Sequence, residues 1–211
     1  MSIIKQKQGF LLCVYGTLIG QLLFTFSIVH YLRNSPYSSY TNQSIWVYLL
    51  VSLALLFLLF VPMPVYAQII VFTIFSFVEA CLLHQVSNLI PEEIVDQVLI
   101  GSISIFIGMS IFAVVLTGMN IDISFLGVYL MASLIGLLIS SVVVLLFGRT
   151  TTKSIYKFLS ILGLTLFSVF VMYDTNVMLQ SNQKNFVVAA INFYLDFVNI
   201  FVNLLSLESS S

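Results

Sequence analysis

Charged side chains are scarce in this sequence: Asp, Glu, Lys and Arg together make up 7% of its 211 residues. Sixty per cent are hydrophobic and the mean hydropathy is +1.13, more apolar surface than a water-soluble fold of this size can hide. The net charge is −1, and no basic patch extends beyond Arg149, Lys153 and Lys157, which sets nucleic acid aside as a partner. Cysteine is nearly absent too. Cys13 and Cys81 both sit inside apolar stretches, where a thiol packs as a small hydrophobe rather than forming half of a disulfide framework. No ligand pattern of a zinc or iron site is present, and no cofactor is expected. The four prolines, Pro36, Pro62, Pro64 and Pro91, all fall in breaks between apolar runs.

What fills the chain instead is a succession of apolar stretches of about 20 residues, the length that crosses the hydrocarbon core. The pattern predicts an all-α integral membrane protein, a single transmembrane domain over 1–211. Its seven helices lie near 9–32, 45–61, 64–86, 97–117, 123–147, 156–180 and 186–207. The remaining breaks are the Gly118 to Asp122 turn, Gly148-Arg149, and Ser181 to Asn185. The first apolar run is too long for a signal-peptide core and lacks a small-residue cleavage site, so it reads as a retained span. Lys5 and Lys7 ahead of it favour a cytosolic N-terminus, which would put the potential glycosylation acceptor Asn42-Gln43-Ser44 on the far side.

Small residues recur at helical spacing: Gly16 with Gly20, Gly101 with Ser104 and Gly108, and Ser133 with Gly136 and Ser140. In a bilayer such residues let helix backbones approach closely, so these are expected to be packing seams.

Acidic residues inside the apolar helices are the anomaly. Glu79, Asp174 and Asp196 each fall within or at the edge of a span, and a charge at mid-bilayer costs about 2.5 to 3.5 kcal/mol on insertion scales. Asn192, Asp196, Asn199 and Asn203 follow the spacing i, i+4, i+7, i+11 and make one polar ridge along the last helix. Lipid cannot solvate that ridge, so the last helix is expected at the centre of the bundle. Glu79 shares a milder stripe with Thr73 and Ser76, and the first helix carries Thr17, Gln21 and Thr25. A lining of acids and amides suits a cation better than an anion. If Asp174 and Asp196 meet, they titrate as a unit and one proton would switch the site. Deprotonated, their oxygens, with Glu79 and nearby Asn carbonyls, are hard donors of the kind Ca²⁺ accepts, making a calcium site at Asp174 and Asp196 a candidate. His30 and His84 are expected near the membrane interface, and Glu92, Glu93 and Asp96 in a solvated loop.

Met172-Tyr173-Asp174-Thr175 and the stretch from Val188 to Phe201, with Asn192-Phe193-Tyr194-Leu195-Asp196-Phe197-Val198-Asn199 at its heart, resemble the most distinctive pattern of the transmembrane Bax inhibitor motif family. Supporting matches are Val14-Tyr15 with Gln21-Leu22-Leu23 and Thr25, Phe72-Thr73 with Val78-Glu79-Ala80, and Asp122-Ile123-Ser124 before Gly127. The lifeguard and Golgi anti-apoptotic branches are the most similar. The resemblance implies six helices around the last, a pH-sensitive calcium leak from the endoplasmic reticulum or Golgi, and protection against apoptosis. It also implies Asp174 and Asp196 as pH sensor, with Glu79 near the path. Two family features are missing: a basic residue before a Pro-x-Asn turn, where this chain has Val61-Pro62-Met63-Pro64-Val65, and the polar N-terminal tail, here only residues 1–8.

Three function classes follow. The leading one is an ion-conducting protein gated by the aspartate pair. The second is a non-conducting regulator that binds Bcl-2-family or other membrane proteins, or a second copy of itself, its acids serving as interhelical hydrogen-bond donors. The third, an intramembrane hydrolase with an aspartyl dyad, lacks the glycine-bearing signatures expected of one, so the chain is expected not to be an enzyme. The membrane could be the endoplasmic reticulum, the Golgi or the plasma membrane.

Overall fold

A computed structural model describes residues 3–35, 45–147, 153–182 and 184–209, and all its regular structure is helical. After a short helical turn, Ile3–Gln6, come seven long helices: α1 Gln8–Arg33, α2 Ile45–Leu59, α3 Val65–Ser87, α4 Glu92–Gly118, α5 Leu126–Phe147, α6 Lys153–Gln180 and α7 Phe186–Ser209. Six are long and apolar enough to cross a membrane. The exception is α2, whose 15 residues rise about 22 Å, short of the roughly 30 Å hydrocarbon core.

The expected helices are all there, and the differences at their ends have local causes. Glu92, Glu93 and Asp96 are not in a loop. They occupy the start of α4 directly after Pro91, where carboxylates favour the positive end of the helix dipole. Residues 123–125 are turn rather than helix, because the Asp122 carboxylate accepts the Ser124 N–H at 2.8 Å and the Ile123 N–H is taken by the Asn176 side chain. At the end of α4 the Ile121 N–H reaches back to Leu116 O at 2.9 Å, with Asn120 in the left-handed region at φ 58°. Asn tolerates that conformation because its short polar side chain can bond locally. The Asn42-Gln43-Ser44 acceptor and the Gly148-Arg149 break lie outside the described residues.

The helices group into two compact units. One comprises Met1–Lys7, Glu92–Gln183 and Leu195–Ser211, with α4 and α5 packed on α6; the other comprises Gln8–Pro91 and Lys184–Tyr194, with α1 and α2 packed on α3. The last helix contributes to both, and 61% of its membrane-length window is buried, the largest share of the six candidate spans; α5 has the smallest, 6%. In the second unit Tyr194 is fully buried against the edges of Phe72 and Phe75, with ring centroids at 5.3 and 5.9 Å. In the first, Phe106 meets Phe197 edge-on at 5.9 Å.

The small-residue seams are only partly used. A methyl group on Gly16, Gly20, Gly108 or Gly136 would meet nothing within 4 Å, so among the described residues these are not close helix contacts. Only Gly101 of the expected set is close-packed, against Leu204. The tight approaches are elsewhere, at Gly127 under Tyr173 and Gly163 under Asn203. Cys81 is buried as expected, but Cys13 is exposed and does not pack.

Candidate functional site

Asp174 sits six residues before the end of α6, about 9 Å along the axis, and Asp196 ten residues into α7, about 15 Å from its start. The two helices are joined by the short 181–185 connection. Both belong to the same unit. Asp196 is buried, 5% exposed, and its Oδ2 has no hydrogen-bond partner; Asp174 is half-buried. The two aspartates that the sequence singled out thus lie in one unit.

Beyond Asp196 the ridge continues as Asn199 and Asn203, both half-buried. Each spends its amide N–H on its own helix: Asn199 Nδ2 donates to Leu195 O at 2.8 Å and Asn203 Nδ2 to Asn199 O at 2.8 Å. That leaves each amide its second N–H and its carbonyl oxygen. Asn203 lies against the backbone of Gly163, and beside it the Ser160 hydroxyl donates to Ser206 Oγ at 2.9 Å. A cleft of about 250 Å³ opens here, its polar lining made by Ser141, Tyr156, Ser160, Asn199 and Asn203.

Asn192 and Glu79 belong to the other unit. Glu79 is half-buried and accepts a hydrogen bond from Ser52 Oγ. The two polar stripes noted in the sequence are joined in this unit: Gln21 Nε2 donates to Thr73 Oγ1 at 3.0 Å, and Thr25 Oγ1 lies 2.8 Å from the Tyr194 hydroxyl. His30 is exposed, whereas His84, expected near the interface, is enclosed at 1% exposure with Nδ1 unpartnered. Arg33, of which the sequence suggested no role beyond orientation, caps the end of α3 by donating to Ser87 O at 2.7 Å and Ile90 O at 2.8 Å.

Three structural residues escaped the sequence reading. Asn176, fully buried, accepts the Ile123 N–H at 3.1 Å and donates to Thr117 Oγ1 at 2.9 Å and Ile121 O at 3.0 Å, tying the 118–126 turn to α6. Its signal was its place two residues after Asp174, within one polar segment. Ser52 is the lone aliphatic hydroxyl in α2. Lys7 donates to Met178 O at 2.8 Å and to Ser181 O, holding the N-terminal segment on the end of α6, and desolvation there pulls its pKa below the usual lysine value.

Among the described residues no three His, Cys, Asp or Glu side chains converge as a metal site. Two carboxyls fall short of the six to eight oxygens that a resident Ca²⁺ takes.

A polytopic helical membrane protein with two aspartates in its last two helices and an amide ridge on the last is the class these features define. Residues 7–210 match the family model described as inhibitor of apoptosis-promoting Bax1, and the chain belongs to that family. It is 29% identical over 208 residues to a BI1-like protein of Arabidopsis thaliana, covering 94% of this chain and 79% of the relative. To Bax inhibitor 1 of Schizosaccharomyces pombe it is 24% identical over 208 residues, covering 95% and 76%. A Golgi anti-apoptotic protein of Vaccinia virus (strain Lister) is 36% identical over 87 residues, 41% of this chain and 35% of the relative.

Proposed function

We propose that this protein is a pH-sensitive calcium leak of an intracellular membrane, the endoplasmic reticulum or Golgi, that lowers stored calcium and so opposes apoptosis. The observation that carries this reading is the Asp174–Asp196 pair, two like charges in one apolar unit with Asp196 Oδ2 unpartnered. Such a pair shares a proton at one pH and repels at another, which gives α6 and α7 two arrangements for protonation to select between. The aspartates act here as a gate and not as a hydrolytic dyad. Calcium is cargo, drawn by the carboxylates and the amide oxygens that follow them along α7. The family description and the names of the yeast and viral relatives support the anti-apoptotic part.

The test is calcium flux in liposomes holding only the purified protein, across several pH values, for wild type, Asp174→Asn and Asp196→Asn. Flux that follows pH in the wild type and loses that dependence in both variants is expected; an unchanged pH profile in both sinks the gating role. The family description, which names action on Bax, favours a second reading: a non-conducting regulator that contacts Bcl-2-family or other membrane proteins. Folded protein with no flux at any pH would move the weight there.

A further inference from the structure

The cleft beside Asn199 and Asn203 does not contain the aspartates, and the leak reading leaves open how an ion would reach them. We propose that this cleft is a hydrated, cation-selective entrance leading from one membrane surface toward Asp196. The inference rests on the leak reading and deepens it.

Position is the first argument. The polar lining comes from Ser141 on α5, Tyr156 and Ser160 on α6, and Asn199 and Asn203 on α7, all in one unit. Tyr156 lies in the first turn of α6 and Ser141 two turns before the end of α5, so this wall belongs to the membrane surface where α5 ends and α6 begins. At its inner end Asn199 stands three residues, about 4.5 Å along the axis, from Asp196. A volume of about 250 Å³ holds several waters at roughly 30 Å³ each.

The chemistry of the lining is the second argument. Ser141 Oγ donates to Leu137 O and Ser160 Oγ to Ser206 Oγ, each at 2.9 Å, and each Asn amide spends one N–H on a carbonyl of its own helix, which leaves the second N–H of each amide, the Tyr156 hydroxyl and the carbonyl oxygens for water. The cleft thus offers neutral groups that hold water, and none of its lining residues is basic. With the Asp196 carboxyl one turn beyond its inner end, such a hydrated wall admits cations ahead of anions. Leucines and Phe167 complete the cleft, so a lipid acyl chain is the competing occupant.

The experiment uses full-length protein in liposomes with Cys13 and Cys81 replaced by Ala. Single cysteines are placed at Ser141, at Asn203 and, as a lipid-facing control, at Ile135, which is 51% exposed on α5. Each is exposed to membrane-impermeant methanethiosulfonates of either charge. Cysteines at 141 and 203 are expected to react roughly tenfold faster than the one at 135, and faster with the cationic than the anionic reagent, because the Asp196 carboxyl beyond the cleft attracts cations into it. Attaching the cationic group should also cut calcium flux by more than half. Rates at 141 and 203 no higher than at 135 would show a cleft filled with lipid and overturn the proposal, as would fast modification that leaves flux unchanged. Ser141 is exposed and packs little, so Ser141→Cys keeps the test alive if Asn203→Cys fails to fold. Absence of flux before any modification would instead count against the leak reading, while the reaction rates still report on the cleft.

Discussion

Gly163 should respond to alanine in opposite directions depending on what stands at position 203. A Cβ on Gly163 would land 2.7 Å from Asn203 Cγ and closer still to Oδ1, inside any real carbon contact. The Asn203 amide must then turn away and give up its bond to Asn199 O. Such overpacking costs about 1 to 3 kcal/mol and the lost hydrogen bond about 0.5 to 1.5 kcal/mol. Against this, alanine gains roughly 0.8 to 1 kcal/mol of helix propensity over glycine. Gly163→Ala alone is therefore expected to destabilise by about 1 to 3 kcal/mol. In an Asn203→Ala background, where the obstacle is gone, the same change should stabilise by about 1 kcal/mol. The coupling between the two positions is then at least about 2 kcal/mol, or roughly 4 to 8 °C in apparent Tm for a chain of this size. Thermal unfolding of the four purified proteins in one detergent measures it. Equal Tm shifts for Gly163→Ala in both backgrounds would refute the contact and the account of how α6 and α7 approach.

Asn176→Leu should be among the most damaging single changes outside the aspartates. It strands the buried Ile123 N–H and removes two acceptor-filling donors, for about 2 to 4 kcal/mol, visible as a Tm fall of roughly 5 to 10 °C; a fall under about 2 °C would mean the turn does not depend on it. Tyr194→Phe keeps the aromatic packing and loses only the hydroxyl contact to Thr25, so about 1 kcal/mol is expected. Thr25→Val should cost about the same, and the double variant little more than either; additive losses would show that the two hydroxyls are not partners.

The sequence carried the helices because each span is an unbroken apolar run closed by Pro, Gly or an amide, and it drew attention to the two aspartates because a carboxylate in such a run needs protein or water around it. What it could not carry were features that depend on which face of a helix meets another. Gly16, Gly20 and Gly136 have the spacing of a packing seam, yet among the described residues nothing approaches them, while Gly127 and Gly163, which the sequence reading did not single out, are pressed beneath side chains. Spacing records that a close approach is sterically allowed; the partner's amide decides where it happens. The same holds for polarity. Asn192, Asn199 and Asn203 were legible as a ridge, but not that the last two would turn their N–H groups onto their own helix and leave carbonyl oxygens free. That orientation, beside an aspartate with an unpartnered oxygen, turns a generic polar ridge into one suited to a cation.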